Sequence, residues 1–214
     1  MSADMIHGVA LGIPWTLAVT AAAFLIGAAL GLPLCAMRMS KLPPLRFIGL
    51  AYIILFRSIP PLLLVFFFFF GLGSGFLPIS AFQGAVLGLG LITAANMAEI
   101  YRGALSAIHF GQWDASEALA LPSYSTYIDI IAPQLIRVSL PSAASYAVGL
   151  LKESAIASTI GVTDISFNAN YIAKSTYQGL TVFGIAALFY IMISLPIAAL
   201  ARFADQKLRA RVAL

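Results

Sequence analysis

The stretch Gly111-Gln112-Trp113-Asp114-Ala115-Ser116-Glu117-Ala118-Leu119-Ala120-Leu121, closed further on by Ala132-Pro133-Gln134, is polar sequence set between two blocks of almost continuous apolar residues. It forms the middle of a loop, about 103–136, that is the only sizeable water-facing surface in a chain that is 61% hydrophobic. That contrast decides the fold class. Charged residues are 9% of the chain and the mean hydropathy is +0.98. A soluble domain carries about 25% charge, so the chain reads as an integral membrane protein.

A helix needs ~20 mostly apolar residues to cross the hydrocarbon core. Five segments qualify, at about 12–36, 47–72, 82–102, 138–158 and 178–203. The runs are far longer than the ~10-residue alternating strands of a barrel, so an all-α fold is expected. No basic segment precedes the first apolar run, which argues against a cleavable signal. Cys35 is the one cysteine, so disulfides and cysteine-based metal sites are excluded. His7 and His109 are far apart and lack companion ligands, and no metal site is expected.

Lys and Arg set the orientation. Arg38, Lys41 and Arg46 fall in the first connection, Arg102 and Arg137 flank the polar loop, and Arg202, Lys207, Arg209 and Arg211 form the tail. On the other side only Lys174 is basic. This places the N-terminus outside and both the loop and the C-terminus in the cytoplasm. The net charge of +4 then reflects topology and contact with membrane lipid, and a nucleic-acid partner is not implied.

Within the spans, Ala21–Ala23, Gly27–Ala29 and Gly31 form small-residue surface for close helix packing. The run Phe66–Phe70 reads as bulky packing or lipid-facing surface. In Phe56-Arg57-Ser58-Ile59-Pro60-Pro61, two prolines remove backbone donors and predict a break or kink. A charge at that depth faces a bundle interior or a wet cavity. Arg57 therefore either caps freed carbonyls or pairs with a carboxylate, or serves with Pro60 and Pro61 as a gate or hinge on a solute path. Asn96, Glu99 and Arg102 share one helical face, and Glu99 with Arg102 reads as a structural ion pair. In the fourth span Ser142, Ser145, Tyr146, Gly149 and Glu153 make a polar stripe on an apolar helix. Such a stripe is either interhelical hydrogen-bonding glue or the wall of a path for a polar solute.

In the loop, Asp114 with Glu117 three residues on predicts a capping box opening a short helix over 115–121. Pro122 would stop it, since the residue before proline avoids the helical region. Ser123 would cap a second short helix to Ala132, ended by Pro133. The two would present Trp113, Leu119, Leu121 and Tyr124 as a knob for a soluble partner.

This loop resembles the Glu-Ala-Ala ("EAA") coupling motif of ATP-binding-cassette importer permeases, a Glu-Ala-Ala run followed by Gly and a later Pro. The similarity extends over nearly the whole chain and is closest to the polar amino acid permeases. Its markers are Phe56–Pro60, Ala98–Gly103, Gly111-Gln112-Trp113, Pro133-Gln134, Leu150–Ser154 and Ile160-Gly161-Val162, in that order. The resemblance implies a type I importer permease fold of five transmembrane helices in one permease domain, 1–214, in the bacterial cytoplasmic (inner) membrane. It implies a second permease subunit, identical or not, with the pathway at their interface. It also implies two cytoplasmic ATP-binding subunits, which would bind ATP and Mg, and an extracytoplasmic solute-binding protein. The residues it assigns to ATPase coupling are Gly111, Gln112, Trp113, Asp114, Ala115, Ser116, Glu117, Ala118, Ala120 and Pro133. Here Asp114 stands for the family's Glu, Ser116 for its second Ala and Ala120 for its Gly. Pro122 is an addition, and a non-identical partner permease with a more regular loop would fit these departures.

The chain has no Walker loop and no catalytic constellation, so no enzymatic activity and no cofactor of its own are expected. For an amino acid substrate, Glu153 is the candidate for the ammonium group and the serine–tyrosine stripe for the path. The alternative is an ATP-independent transporter or channel for a small polar solute.

Overall fold

Thr16, Thr20, Ala23, Gly27, Gly31 and Cys35 recur every third or fourth residue, and all six are buried. They lie on one face of α2 (Ile13–Met39), which packs most extensively against α5 (Ala81–Ala107). A Cβ on Gly27 would stand 2.3 Å from Thr93 Cγ2 and 2.9 Å from the Thr93 backbone carbon. Only glycine lets the two backbones come this close, and in lipid such close packing replaces the hydrophobic drive for association.

The computed structural model describes residues 2–73 and 77–210, and it is helical outside the connections. Arg211 of the basic tail and Ser74–Phe76 of the second connection lie outside the described residues, as do the side chains of Lys207 and Arg209. A short helix not expected from the sequence, α1 (Ser2–Ala10), precedes α2. The chain turns at Gly12, where a Cβ would meet the Asp164 and Ile165 backbone at 2.3 Å. At this contact the Thr16 hydroxyl accepts from the Ile165 amide (3.2 Å) and donates to the Gly12 carbonyl (3.1 Å).

The second expected span is broken. The helix α3 (Pro43–Ser58) ends, Ile59 and Pro60 are extended, and α4 (Pro61–Phe66) leaves at 101° before a π-helical turn over Phe67–Leu72. The cause is local: Ile59 and Pro60 each precede a proline, which disfavours the helical region, and neither proline can donate. Phe66 and Phe69 pack on a core of Val19, Ala23, Val65, Leu89, Leu150 and Ile160, while Phe67 and Phe70 are exposed.

The loop departs from its expected form. The helix α6 runs Gly111–Ala118, four residues earlier than the capping-box reading, and Asp114 lies inside it with its amide bonded to the Phe110 carbonyl (3.2 Å). Its amide is thus already used, and no capping box forms. After α7 (Ser123–Ser125) the chain makes a π-helical turn, Thr126–Ile131, and runs directly into α8 (Ala132–Glu153). Pro133 therefore sits in the first turn of α8 and does not end a helix. The π-helical turn just before it already interrupts the regular i→i−4 ladder, which accommodates the missing proline donor.

A 3-10 segment, Ser154–Ile160, continues α8 to Gly161, and α9 (Ile165–Thr176) follows with Asp164 as its N-cap. The last helix, α10 (Gly179–Ala210), packs on α8 and α9. A second core, with Met5, Val9, Ile165, Ala169, Val182 and Ala186, joins α1, α9 and α10. Among the described residues three helical runs are long and apolar enough to cross a membrane, Ala3–Met39, Ala81–Ala107 and Gly179–Ala199, and the bent α3–α4 pair makes a fourth. α8, which carries Gln134, Arg137, Lys152 and Glu153, is not in that group.

Candidate functional site

On α8, Tyr146 is the one member of the stripe held by other side chains. Its hydroxyl lies 3.3 Å from Thr93 Oγ1 and accepts from Asn96 Nδ2 at 3.5 Å. The Thr93 hydroxyl donates to the Leu89 carbonyl (2.7 Å), so the proton between the two hydroxyls comes from tyrosine. Asn96 also donates to the Ile92 carbonyl at 3.0 Å. This triangle fixes α8 against α5. The rest of the stripe is open in the single chain: Ser142 and Ser145 are exposed, and a Cβ on Gly149 would meet nothing within 4 Å.

Glu153 is half-buried at the far end of α8, and among the described residues no ion pair or hydrogen bond satisfies its carboxylate. Arg57 is exposed in the last turn of α3, and among the described residues it has neither a carboxylate nor a carbonyl partner. Arg57 is thus an unpaired cation beside the α3–α4 break, and Glu153 an unpaired anion at the end of the stripe. Lys152 points elsewhere, into a cleft of about 310 Å3 between α8 and α10 lined also by Tyr190 and Ser194.

Glu99 pairs with Arg102 through Oε2, 2.8 Å from Nη2 and 2.9 Å from Nε, as one-face spacing predicts. A third group, Arg38, approaches the same carboxylate at 3.9 Å. Arg38 was not legible as a partner, because it comes from a different helix.

The loop helix α6 ends in a left-handed residue, Ala120 at φ +50°. The Leu121 amide bonds to the Ser116 carbonyl (3.0 Å) and the Ala120 amide to that of Glu117 (2.9 Å), the pair of bonds of a Schellman cap. Ser116 is buried and donates to the Gln112 carbonyl at 2.7 Å. Gln134 Nε2 donates to Gln112 Oε1 at 3.2 Å, and Trp113 meets Tyr127 edge-on at 5.5 Å, so α6 is tied to the start of α8 and the turn before it. Trp113 is half-buried, resting on the exposed Tyr127 at the edge of the knob. The outward surface carries Phe110, Asp114, Ala115, Glu117, Leu119, Tyr124 and Tyr127. Aromatic and aliphatic groups with two acids suit a protein partner.

Sequence reasoning missed Thr93 and Asp164. Thr93 lies three residues before Asn96 on the face already singled out, a signal that was available. Asp164 is fully buried, accepts from the Phe167 amide (2.8 Å), and leaves Oδ2 without a partner. Burial pushes its carboxyl up to about 6.

A family model described as "Binding-protein-dependent transport system inner membrane component" matches residues 23–210. The arginine ABC transporter permease ArtQ of Haemophilus influenzae is 37% identical over 160 residues, covering 70% of this chain and 72% of that protein. The nopaline transport system permease NocM of Agrobacterium fabrum is 29% identical over 215 residues, covering 94% and 89%. The crystal structure of an amino acid ABC transporter with histidines superposes with a TM-score of 0.85 at 30% identity, covering 94% of each chain.

Proposed function

We propose, since this chain belongs to the family of binding-protein-dependent transport system inner membrane components, that it is the permease subunit of an ATP-driven importer of polar amino acids. The observation that carries the reading is the α6 knob, an exposed surface tied through Gln134 and Tyr127 to the helix that bears the polar stripe. The permease is one domain of five membrane-crossing helices, with the N-terminus outside and α6 and the C-terminus in the cytoplasm of a bacterial cell. The α3–α4 pair forms one broken span, and α8 is the span that lines the path.

A second permease covers the open stripe, two ATP-binding subunits receive α6, and a solute-binding protein delivers cargo from outside. ATP and Mg belong to those subunits. In transit, Glu153 meets the ammonium of the amino acid, and Ser142, Ser145 and Tyr146 offer hydroxyls along the path. Arg57, beside the hinge made by Pro60 and Pro61, gates it. Closure of the ATP-binding subunits moves α6 and rocks the spans between two states.

The test is ATPase activity of the complex reconstituted in liposomes with its ATP-binding subunit and solute-binding protein, across a panel of polar amino acids, with Ala115→Asp as the loop variant. Stimulation by one solute class, lost in Ala115→Asp, is the expected result. Solute flux that continues without ATP overturns the reading in favour of a self-sufficient transporter or channel.

A further inference from the structure

Where α2 ends, α3 begins and α5 leaves its packed region, the three helices border an open cleft of about 310 Å3 lined by Arg38, Met39, Ser40, Arg46, Arg102 and Ser106. Three guanidiniums face it and one carboxylate stands nearby. Glu99 spends Oε2 on Arg102, and its other oxygen is 3.9 Å from Arg38 Nε, beyond hydrogen-bond range. Arg38 Nε is buried and has no hydrogen-bond partner. Among the described residues Arg46 has no acidic partner at all. The Ser40 hydroxyl accepts from the Leu42 amide at 3.1 Å and keeps its own proton to give.

The Arg46 guanidinium and the Ser40 hydroxyl are unsatisfied donors at one cleft, with Arg38 and Arg102 adding positive charge in excess of the single carboxylate, which matches a tetrahedral oxyanion whose several oxygens accept from more than one donor. We propose that this cleft binds a phosphate group, carried on an anionic phospholipid headgroup or free in solution. The surroundings favour the lipid. Arg46 is flanked on α3 by exposed Leu45, Phe47 and Ile48, apolar surface on which acyl chains lie. Basic pockets between membrane helices at the cytoplasmic boundary are where such headgroups are held. The site is separate from the stripe and from the knob, and it does not depend on the cargo.

The experiment uses the intact transporter complex, purified in detergent and exchanged into nanodiscs of phosphatidylcholine with or without phosphatidylglycerol. Lipid retained per permease is counted after washing, for the wild type, Arg46→Gln and Lys41→Gln. Lys41 is exposed in the same connection and does not line the cleft, so it loses the same charge without touching the site. Phosphatidylglycerol is expected to be retained over phosphatidylcholine, and Arg46→Gln to weaken retention about tenfold while Lys41→Gln does not, the effect of losing one charged hydrogen-bond donor. A second arm adds inorganic phosphate to pure phosphatidylcholine discs and reads the thermal midpoint. A rise in the wild type and in Lys41→Gln but not in Arg46→Gln, without lipid selectivity, supports the same site filled from solution. Equal behaviour of the two variants in both arms, with matching midpoints in plain phosphatidylcholine to show that both fold, overturns the proposal.

Discussion

The Tyr146 hydroxyl donates to Thr93 across 3.3 Å, joining α8 to α5 between residues 53 apart in sequence. It is the polar tie between the open stripe and the most buried helix. Tyr146→Phe removes this bond and the one from Asn96, and should lower stability by about 1 kcal/mol. In a double-mutant cycle with Thr93→Val the coupling should be roughly 0.6 kcal/mol, the usual strength of such bonds in membranes. Additive losses in thermal midpoints would show that the contact does not hold the helices.

Ala120 sits in the left-handed region at φ +50° at the end of α6. A side chain there costs about 1 kcal/mol that glycine does not lose. Ala120→Gly should therefore slow hydrogen exchange of the α6 amides, and Ala120→Val should speed it, because a β-branched residue fits that region worst. Unchanged exchange in both would mean that the cap contributes nothing to α6.

Asp164 lies in the connection between α8 and α10, fully buried, with its carboxyl raised to about 6 by burial. The folded state therefore holds a proton that the unfolded chain, with an ordinary aspartate near 3.9, releases earlier. The sign follows: this contribution is complete below about pH 4 and is lost as pH rises through about 6. Asp164→Asn keeps a good N-cap and has no charge to bury. Its thermal midpoint should exceed that of the wild type at pH 7 and converge with it near pH 4. A difference independent of pH would refute the assignment.

Glu153 has no ionic partner among the described residues and ends the stripe. Glu153→Gln keeps the size and removes the charge. Uptake by proteoliposomes should fall, while basal ATP hydrolysis and the folded fraction stay as in the wild type. Normal uptake by the variant would end the role given to Glu153 at the ammonium group.

Much of this was legible from local chemistry. The break at Ile59–Pro60 follows from two prolines in succession, and the Glu99–Arg102 pair from three-residue spacing, because both signals act within one turn. The start of α6 was misread because Asp114 and Glu117 have capping spacing whether or not the backbone before them is helical, and Gly111–Trp113 is helical. The fusion of the loop to α8 was hidden by Pro133, since a proline that ends one helix and one that begins another look alike. Asp164 and Arg38 were invisible for a different reason. Their surroundings come from distant parts of the chain, as in the bond from the Ile165 amide to Thr16, 149 residues apart.

From Thr126 to Ile160 the backbone never leaves helical geometry, passing from a π turn through α8 into a 3-10 segment. At ~1.5 Å per residue this is a rod of roughly 50 Å. One end is clamped to α6 by Gln112 and Trp113, and the other carries Glu153 and the turn at Gly161. Pro141 removes one hydrogen bond of that rod between the clamp and Tyr146, so on the proposed function any movement imposed at α6 would reach Glu153 through a shaft with one built-in weak point.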